Sequence, residues 1–159
     1  MESVKDAVWD LVVGARCAGC DAPGRPWCRD CRSALAAAPV SPRRAQVVPE
    51  PRGLPATWTS GWYDGPVRTA LLAYKERGRR ELAGPLGALL AGSVGRVAVH
   101  PEAVTVGIPA SPAGRRARGY DHVGLLVRAA VARGAPPSAA LLRWSRQTDD
   151  QAGLGVQAR

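Results

Sequence analysis

The chain has 159 residues, of which 46% are hydrophobic, and a formal net charge of +9. This length accommodates one domain, or a small module with one modest or incomplete domain, and the apolar fraction suffices for a packed core. No apolar run is long enough to span a bilayer, which excludes a helical membrane anchor in this sequence.

In chain order, Val4 to Val13 sets Val4, Ala7, Val8, Leu11 and Val12 on one helical face, with Ser3 placed to cap the start and Gly14 to stop it. This short amphipathic helix leads into the four cysteines. All of them, Cys17, Cys20, Cys28 and Cys31, fall in two Cys-x2-Cys pairs separated by Asp21 to Trp27. Two such pairs on tight turns place four thiolates at the corners of a tetrahedron, the requirement of a closed structural zinc site. Disulfides are the alternative. Glu2, Lys5, Asp6 and Asp10 interrupt any secretory apolar stretch, so the expected location is the cytoplasm, where thiols stay reduced. Neither pair stands in a recognisable redox context, and with all four thiols engaged none is left as a nucleophile.

Ser33 to Ala38 continues as one or two helical turns, after which Pro39, Pro42, Pro49, Pro51 and Pro55 mark a linker over residues 39 to 55. Ala56 to Trp62 alternates like a strand, and Asp64-Gly65-Pro66 supplies a cap and a helix start. The helix runs from Pro66 to Glu76 with Val67, Ala70, Leu71 and Tyr74 facing the core, and Gly78 ends it. A second helix, Arg80 to Ala91, carries Leu82, Leu86, Leu89 and Leu90. Ala103 to Ile108 is the nearly continuous apolar run of a strand buried in a parallel sheet. Arg115, Arg116 and Arg118 follow in a loop, then a helix over Asp121 to Arg133, then a further strand over Ala139 to Trp144. The alternation of strand, loop and helix predicts an α/β body.

The cationic side chains are almost all arginine, with Lys5 and Lys75 the only lysines. Planar guanidinium groups suit phosphate recognition, but a GC-rich coding bias yields the same composition, so any functional claim rests on where particular arginines cluster. Four thiolates holding one Zn²⁺ lower the net charge by two and leave the protein basic.

Four segments occur in a telling order: the cysteine pairs, Tyr63-Asp64-Gly65-Pro66-Val67-Arg68 leading to Lys75, Pro109-x2-Pro112 leading to Arg118-Gly119-Tyr120, and Arg146-x-Thr148-x2-Gln151-x2-Leu154. Together they resemble the ComF family of bacterial competence-associated, type I phosphoribosyltransferase-like proteins, over nearly the whole chain. The family's segment after the arginines usually reads Arg-Gly-Phe-Asn-Gln, whereas here it is Arg118-Gly119-Tyr120-Asp121-His122. The resemblance implies a zinc module over residues 1 to 38 and, over residues 56 to 159, a phosphoribosyltransferase-like parallel-sheet domain that is incomplete at its C-terminal end.

The family's sugar-phosphate segment, an apolar strand running into two acids and a Thr/Gly-rich turn, has no counterpart. Asp149-Asp150 follows Arg146-Gln147-Thr148 and precedes Gln151-Ala152-Gly153. A truncated or split domain is therefore expected, completed by a further segment or a partner subunit, and glycosyltransferase activity is not expected of this chain alone. In an intact relative Mg²⁺ would assist at that segment. What the resemblance leaves is a pyrophosphate or nucleotide-like ligand held by Arg115, Arg116 and Arg118, with Lys75 on the neighbouring helix and Arg146 on a closing loop. A solvated basic loop explains the three arginines equally well. His100 and His122 are expected at caps or on the surface. A second reading is a single-stranded nucleic-acid-binding module, in which Arg16, Arg25, Arg29 and Arg32 surround the metal turns and Trp27 offers a stacking surface. A third is an inactive, degenerate partner subunit.

Overall fold

A computed structural model of the chain describes residues 16–37, 43–44, 52–97 and 100–145. The helix expected over Val4 to Val13 and the segment from Arg146 onward lie outside the described residues.

The first cysteine pair sits in a tight turn. Its second pair opens helix α1, Arg29–Ala36, with Cys28 as the extended N-cap residue. Arg43–Arg44 (β1) pairs antiparallel with Trp58–Thr59 (β2), in the register Arg43 with Thr59 and Arg44 with Trp58. The proline-rich stretch thus contributes one short strand between its prolines. Helix α2 spans Gly65–Glu76 and follows Asp64, which is extended at φ −154°. Ala70, Ala73 and Tyr74 are its buried residues, with Val67 and Leu71 packed against the same core. Gly78 then takes φ +66°, a left-handed conformation that costs glycine nothing and turns the chain sharply.

The helix expected from Arg80 begins later. Arg80–Leu82 forms a single 3-10 turn, and α3 runs over Ala83–Val97. Pro85 has no N–H and its ring disturbs the turn before it, so it is tolerated only in the first turn of an α-helix. Starting α3 at Ala83 puts it there. Helix α4, Pro112–Arg118, is capped by the Ser111 hydroxyl accepting from Gly114 N at 3.0 Å, and ends at Gly119 with φ +70°. Helix α5, His122–Val131, is capped by Asp121, whose carboxylate accepts from Gly124 N at 3.0 Å.

One hydrophobic core joins the cysteine turns to the helices. Cys17, Ala18, Trp27 and Leu35 are buried together with Ala70, Ala73 and Tyr74 of α2, Leu82, and Ala83 and Leu86 at the start of α3. A second cluster of Ala91, Ala130 and Ala135 lies where α3 crosses α5. Small residues let these helices approach closely: a Cβ added at Gly87 would lie 2.7 Å from the Ala129 Cβ.

The expected parallel-sheet body is corrected here. Among the described residues the fold is mainly helical, and the only named sheet is the β1–β2 pair. The segments expected as strands, 103–108 and 139–144, touch at one parallel bridge between Thr105 and Ser138. Thr105 N donates to Pro137 O at 2.8 Å and Ala139 N donates to Thr105 O at 3.1 Å. On the N-terminal side the ladder cannot continue, because its next bond would need an N–H from Pro137. A buried parallel strand also needs cover on both faces. Here Gly107 packs on Val123 and Val127 of α5, but Ile108 and Leu141 are 73% and 68% exposed. Apolar composition announced a strand; among the described residues too few neighbours are present to bury it.

Candidate metal centre

The turn around Cys17 and Cys20 is closed by Cys17 N donating to Ala22 O at 2.8 Å and Asp21 N donating to Cys17 O at 2.9 Å. Asp21 adopts φ +61°, tolerated by an Asp side chain with local hydrogen bonding. Arg16 holds it by donating from Nη1 to Asp21 O at 2.6 Å and to its carboxylate at 2.8 Å. The second pair stands on the opening turn of α1, where backbone N–H groups have no intrahelical acceptor and favour negative charge. Arg32 N donates to Cys28 O at 3.0 Å, closing that turn.

These two turns bring the four Sγ atoms within 4.8 Å of one another. Cys20 Sγ and Cys28 Sγ are 3.7 Å apart. That is far longer than a disulfide bond, and it matches the edge of a tetrahedron with zinc–sulfur bonds of ~2.3 Å, about 3.8 Å. All four thiols are free of disulfides. Backbone N–H groups point at the sulfurs: Gly19 N and Cys28 N donate to Cys17 Sγ at 3.4 and 3.3 Å, and Cys31 N donates to Cys28 Sγ at 3.4 Å. Burial raises the Cys17 pKa, but the backbone N–H groups of Cys28, Cys20 and Gly19 outweigh it and hold the thiol at about 6. Burial, reinforced by the neighbouring thiols, pushes Cys31 up. Metal binding at four cysteines takes them as thiolates, so it is linked to proton release. The donor set, the sulfur separations and the aimed N–H groups fit a closed, four-thiolate metal ion; they are compatible with a structural zinc.

Gly19 is required by this closeness. A Cβ there would lie 2.6 Å from Cys31 Sγ and 3.2 Å from Trp27 Cζ3. Trp27 is only 6% exposed and roofs the turns from inside the core, so it presents no face on which a base could stack.

Two arginines that the sequence reading missed fasten the centre to the helices. Arg77 Nη2 donates to Ala18 O at 3.0 Å, and Arg79 Nη2 donates to Arg16 O at 2.9 Å and to Pro26 O at 2.7 Å, while its Nε pairs with Glu81. The signal was present as Arg77-Gly78-Arg79. Gly78 was legible as a helix stop, but the destination of the flanking side chains is a long-range contact.

The remaining anticipated site residues are dispersed. Arg115 and Arg116 lie exposed on α4. Arg118 turns the other way: its Nε donates to Lys75 O at 2.9 Å and its Nη2 lies 3.7 Å from Glu76, which also pairs with Lys75 Nζ at 3.5 Å. Arg118 and Lys75 are thus brought together, with a carboxylate between them. Arg146 lies outside the described residues. His100 accepts from Glu102 N at 3.2 Å, a local cap. His122 opens α5 below Asp121, and its buried Nδ1 has no hydrogen-bond partner. Burial, then Arg118, lowers its pKa. A separate apolar concavity of about 440 Å³ is lined by Ala34, Trp62, Tyr63, Val67, Leu71 and Leu89, and includes none of these arginines.

No family model, curated protein or solved structure matches this chain. Among the described residues no helix is long and apolar enough to cross a membrane.

Proposed function

We propose that Cys17, Cys20, Cys28 and Cys31 hold one structural Zn²⁺ that fastens the turns and α1 onto the helical body of a ComF-like, phosphoribosyltransferase-type protein. The four sulfurs within 4.8 Å of one another carry the metal assignment. Zinc suits a four-thiolate tetrahedron, and no open coordination position remains for catalysis. Reduced thiols go with a cytoplasmic location.

The ComF-like part rests on the order of the sequence motifs, and is supported by how two of them pack. Tyr120 of the Arg118-Gly119-Tyr120 motif donates its hydroxyl to Tyr74 O, one residue before Lys75, and Tyr74 donates its own to His122 O at 2.6 Å. A role near competence or nucleotide metabolism, with a phosphorylated sugar or nucleotide as ligand, follows from that likeness. No phosphoribosyl transfer is expected of this chain by itself. The alternative of a single-stranded nucleic-acid binder keeps the exposed Arg115 and Arg116 but loses Trp27 as a stacking surface, and is the weaker reading.

Metal analysis of the purified protein tests the assignment. About one zinc per chain is expected, with loss of the metal in Cys17→Ser and unfolding of the turns on chelation. Four reduced thiols in a folded, metal-free protein would refute it. Pyrophosphate release assayed with the phosphoribosyl donor should stay at background; turnover abolished by Arg118→Ala would overturn the inactive reading.

A further inference from the structure

The four thiols are not equivalent. Cys17 is buried, Cys28 and Cys31 are half-buried, and Cys20 alone is exposed. Cys17 also accepts two backbone N–H groups, which draw electron density from its sulfur. The exposed sulfur lies 3.7 Å from Cys28 Sγ, which belongs to the other Cys-x2-Cys pair, within a cluster whose four sulfurs are all within 4.8 Å of one another. We propose that Cys20 and Cys28 form an oxidation-sensitive pair, through which a two-electron oxidant such as hydrogen peroxide opens the metal centre.

The chemistry closes without further reactants. The Cys20 thiolate attacks one peroxide oxygen; the O–O bond breaks, giving Cys20 sulfenic acid and one hydroxide. The Cys28 thiolate then attacks the Cys20 sulfur and displaces the second hydroxide, leaving a Cys20–Cys28 disulfide. Two sulfurs have each lost one electron, and the two peroxide oxygens have gained them. A disulfide sulfur is a poor zinc ligand, so Zn²⁺ keeps two thiolates and departs. The disulfide bridges the two turns that the metal had joined. The oxidised chain therefore keeps its turns tied, and a thiol reductant with zinc restores the centre.

The inference rests on the metal assignment above, and the experiment separates the two. Zinc-loaded full-length protein is treated with one equivalent of hydrogen peroxide, zinc release is followed with a chromogenic chelator, and the first disulfide is located by differential alkylation and fragment mass spectrometry. We expect one zinc released per disulfide, Cys20–Cys28 as the first bridge, and recovery on adding dithiothreitol and zinc. In metal-free Cys20→Ser, consumption of the first peroxide equivalent should be at least about tenfold slower than in the metal-free wild type, as removal of the most accessible thiolate requires; metal-free Cys31→Ser should not show that protection. The metal-free chain serves as the second arm, because the same first bridge is expected there. A first bridge within either Cys-x2-Cys pair, or equal oxidation of all four thiols, would overturn the proposal. A protein that holds no zinc yet forms the Cys20–Cys28 bridge first would refute the metal assignment and leave the reactive pair standing.

Discussion

Gly87 of α3 and Ala129 of α5 meet so closely that the missing Cβ at position 87 would also lie 2.9 Å from the Ala129 carbonyl carbon. The contact is with backbone, which cannot swing aside. In an open helix Gly→Ala gains ~1 kcal/mol from propensity. Here Gly87→Ala forces the two helices apart, and a net destabilisation of ~1–3 kcal/mol is expected. Denaturant unfolding with the wild type as reference measures it, and a stabilised variant would show that the helices separate freely.

Gly19→Ala tests the centre by the same logic at another site. Its Cβ would stand 2.6 Å from Cys31 Sγ, so the sulfur or the turn must shift. Zinc affinity, read by competition with a chelator, should fall by at least about tenfold, the scale on which disturbed ligand orientation weakens metal sites.

Arg79→Ala removes two hydrogen bonds to the carbonyls of Arg16 and Pro26. A loss of ~1–3 kcal/mol is expected, charged hydrogen bonds lying at the upper end of their class. The faster signature is zinc extraction, which should accelerate because the turns open more often. Arg79→Lys should recover little of this, since a single ammonium does not reproduce the planar fork.

His122 makes stability depend on pH. Burial, then Arg118, lowers its folded-state pKa, with Asp121 and Glu76 opposing and Lys75 reinforcing. The unfolded chain then binds a proton more readily than the folded one, so stability rises with pH through this window. It is complete above the ordinary histidine value of ~6.5 and is lost as pH falls below it. Thermal unfolding of wild type and His122→Asn between pH 5 and 7.5 isolates the effect; the variant should show the shallower dependence.

Tyr74→Phe removes the hydroxyl that reaches His122 O at 2.6 Å. A cost of about 1 kcal/mol is expected, and a nearby Tyr120 cannot substitute because its hydroxyl is committed to Tyr74 O.

Local signals were read well from the sequence. The cysteine spacing fixed which sulfurs meet, and the start of α2 at Gly65 follows from Asp64 and Pro66. The stretch carrying Arg115, Arg116 and Arg118, expected as a loop, is instead a helix over Pro112–Arg118 capped by Ser111. Non-local matters were not legible. Whether Val104 and Ile108 are buried depends on how many strands stand beside them, and composition carries no such count. The three arginines looked like one cluster in the chain, but a helix turns ~100° per residue, which sends Arg118 toward Lys75 and leaves Arg115 and Arg116 exposed. Trp27 could roof or stack; only the packing of Gly19, Cys31 and the core against it decided.

The arginine ties also impose an order on biosynthesis. The cysteine turns leave the ribosome well before Arg77 and Arg79, which hold the carbonyls of Arg16, Ala18 and Pro26 in the finished protein. A nascent chain can load its metal on turns whose carbonyls still face water, and the same turns then become the surface on which the end of α2 settles. With the centre metal-bound as proposed above, metal supply during translation would thereby govern how promptly the helices find their place.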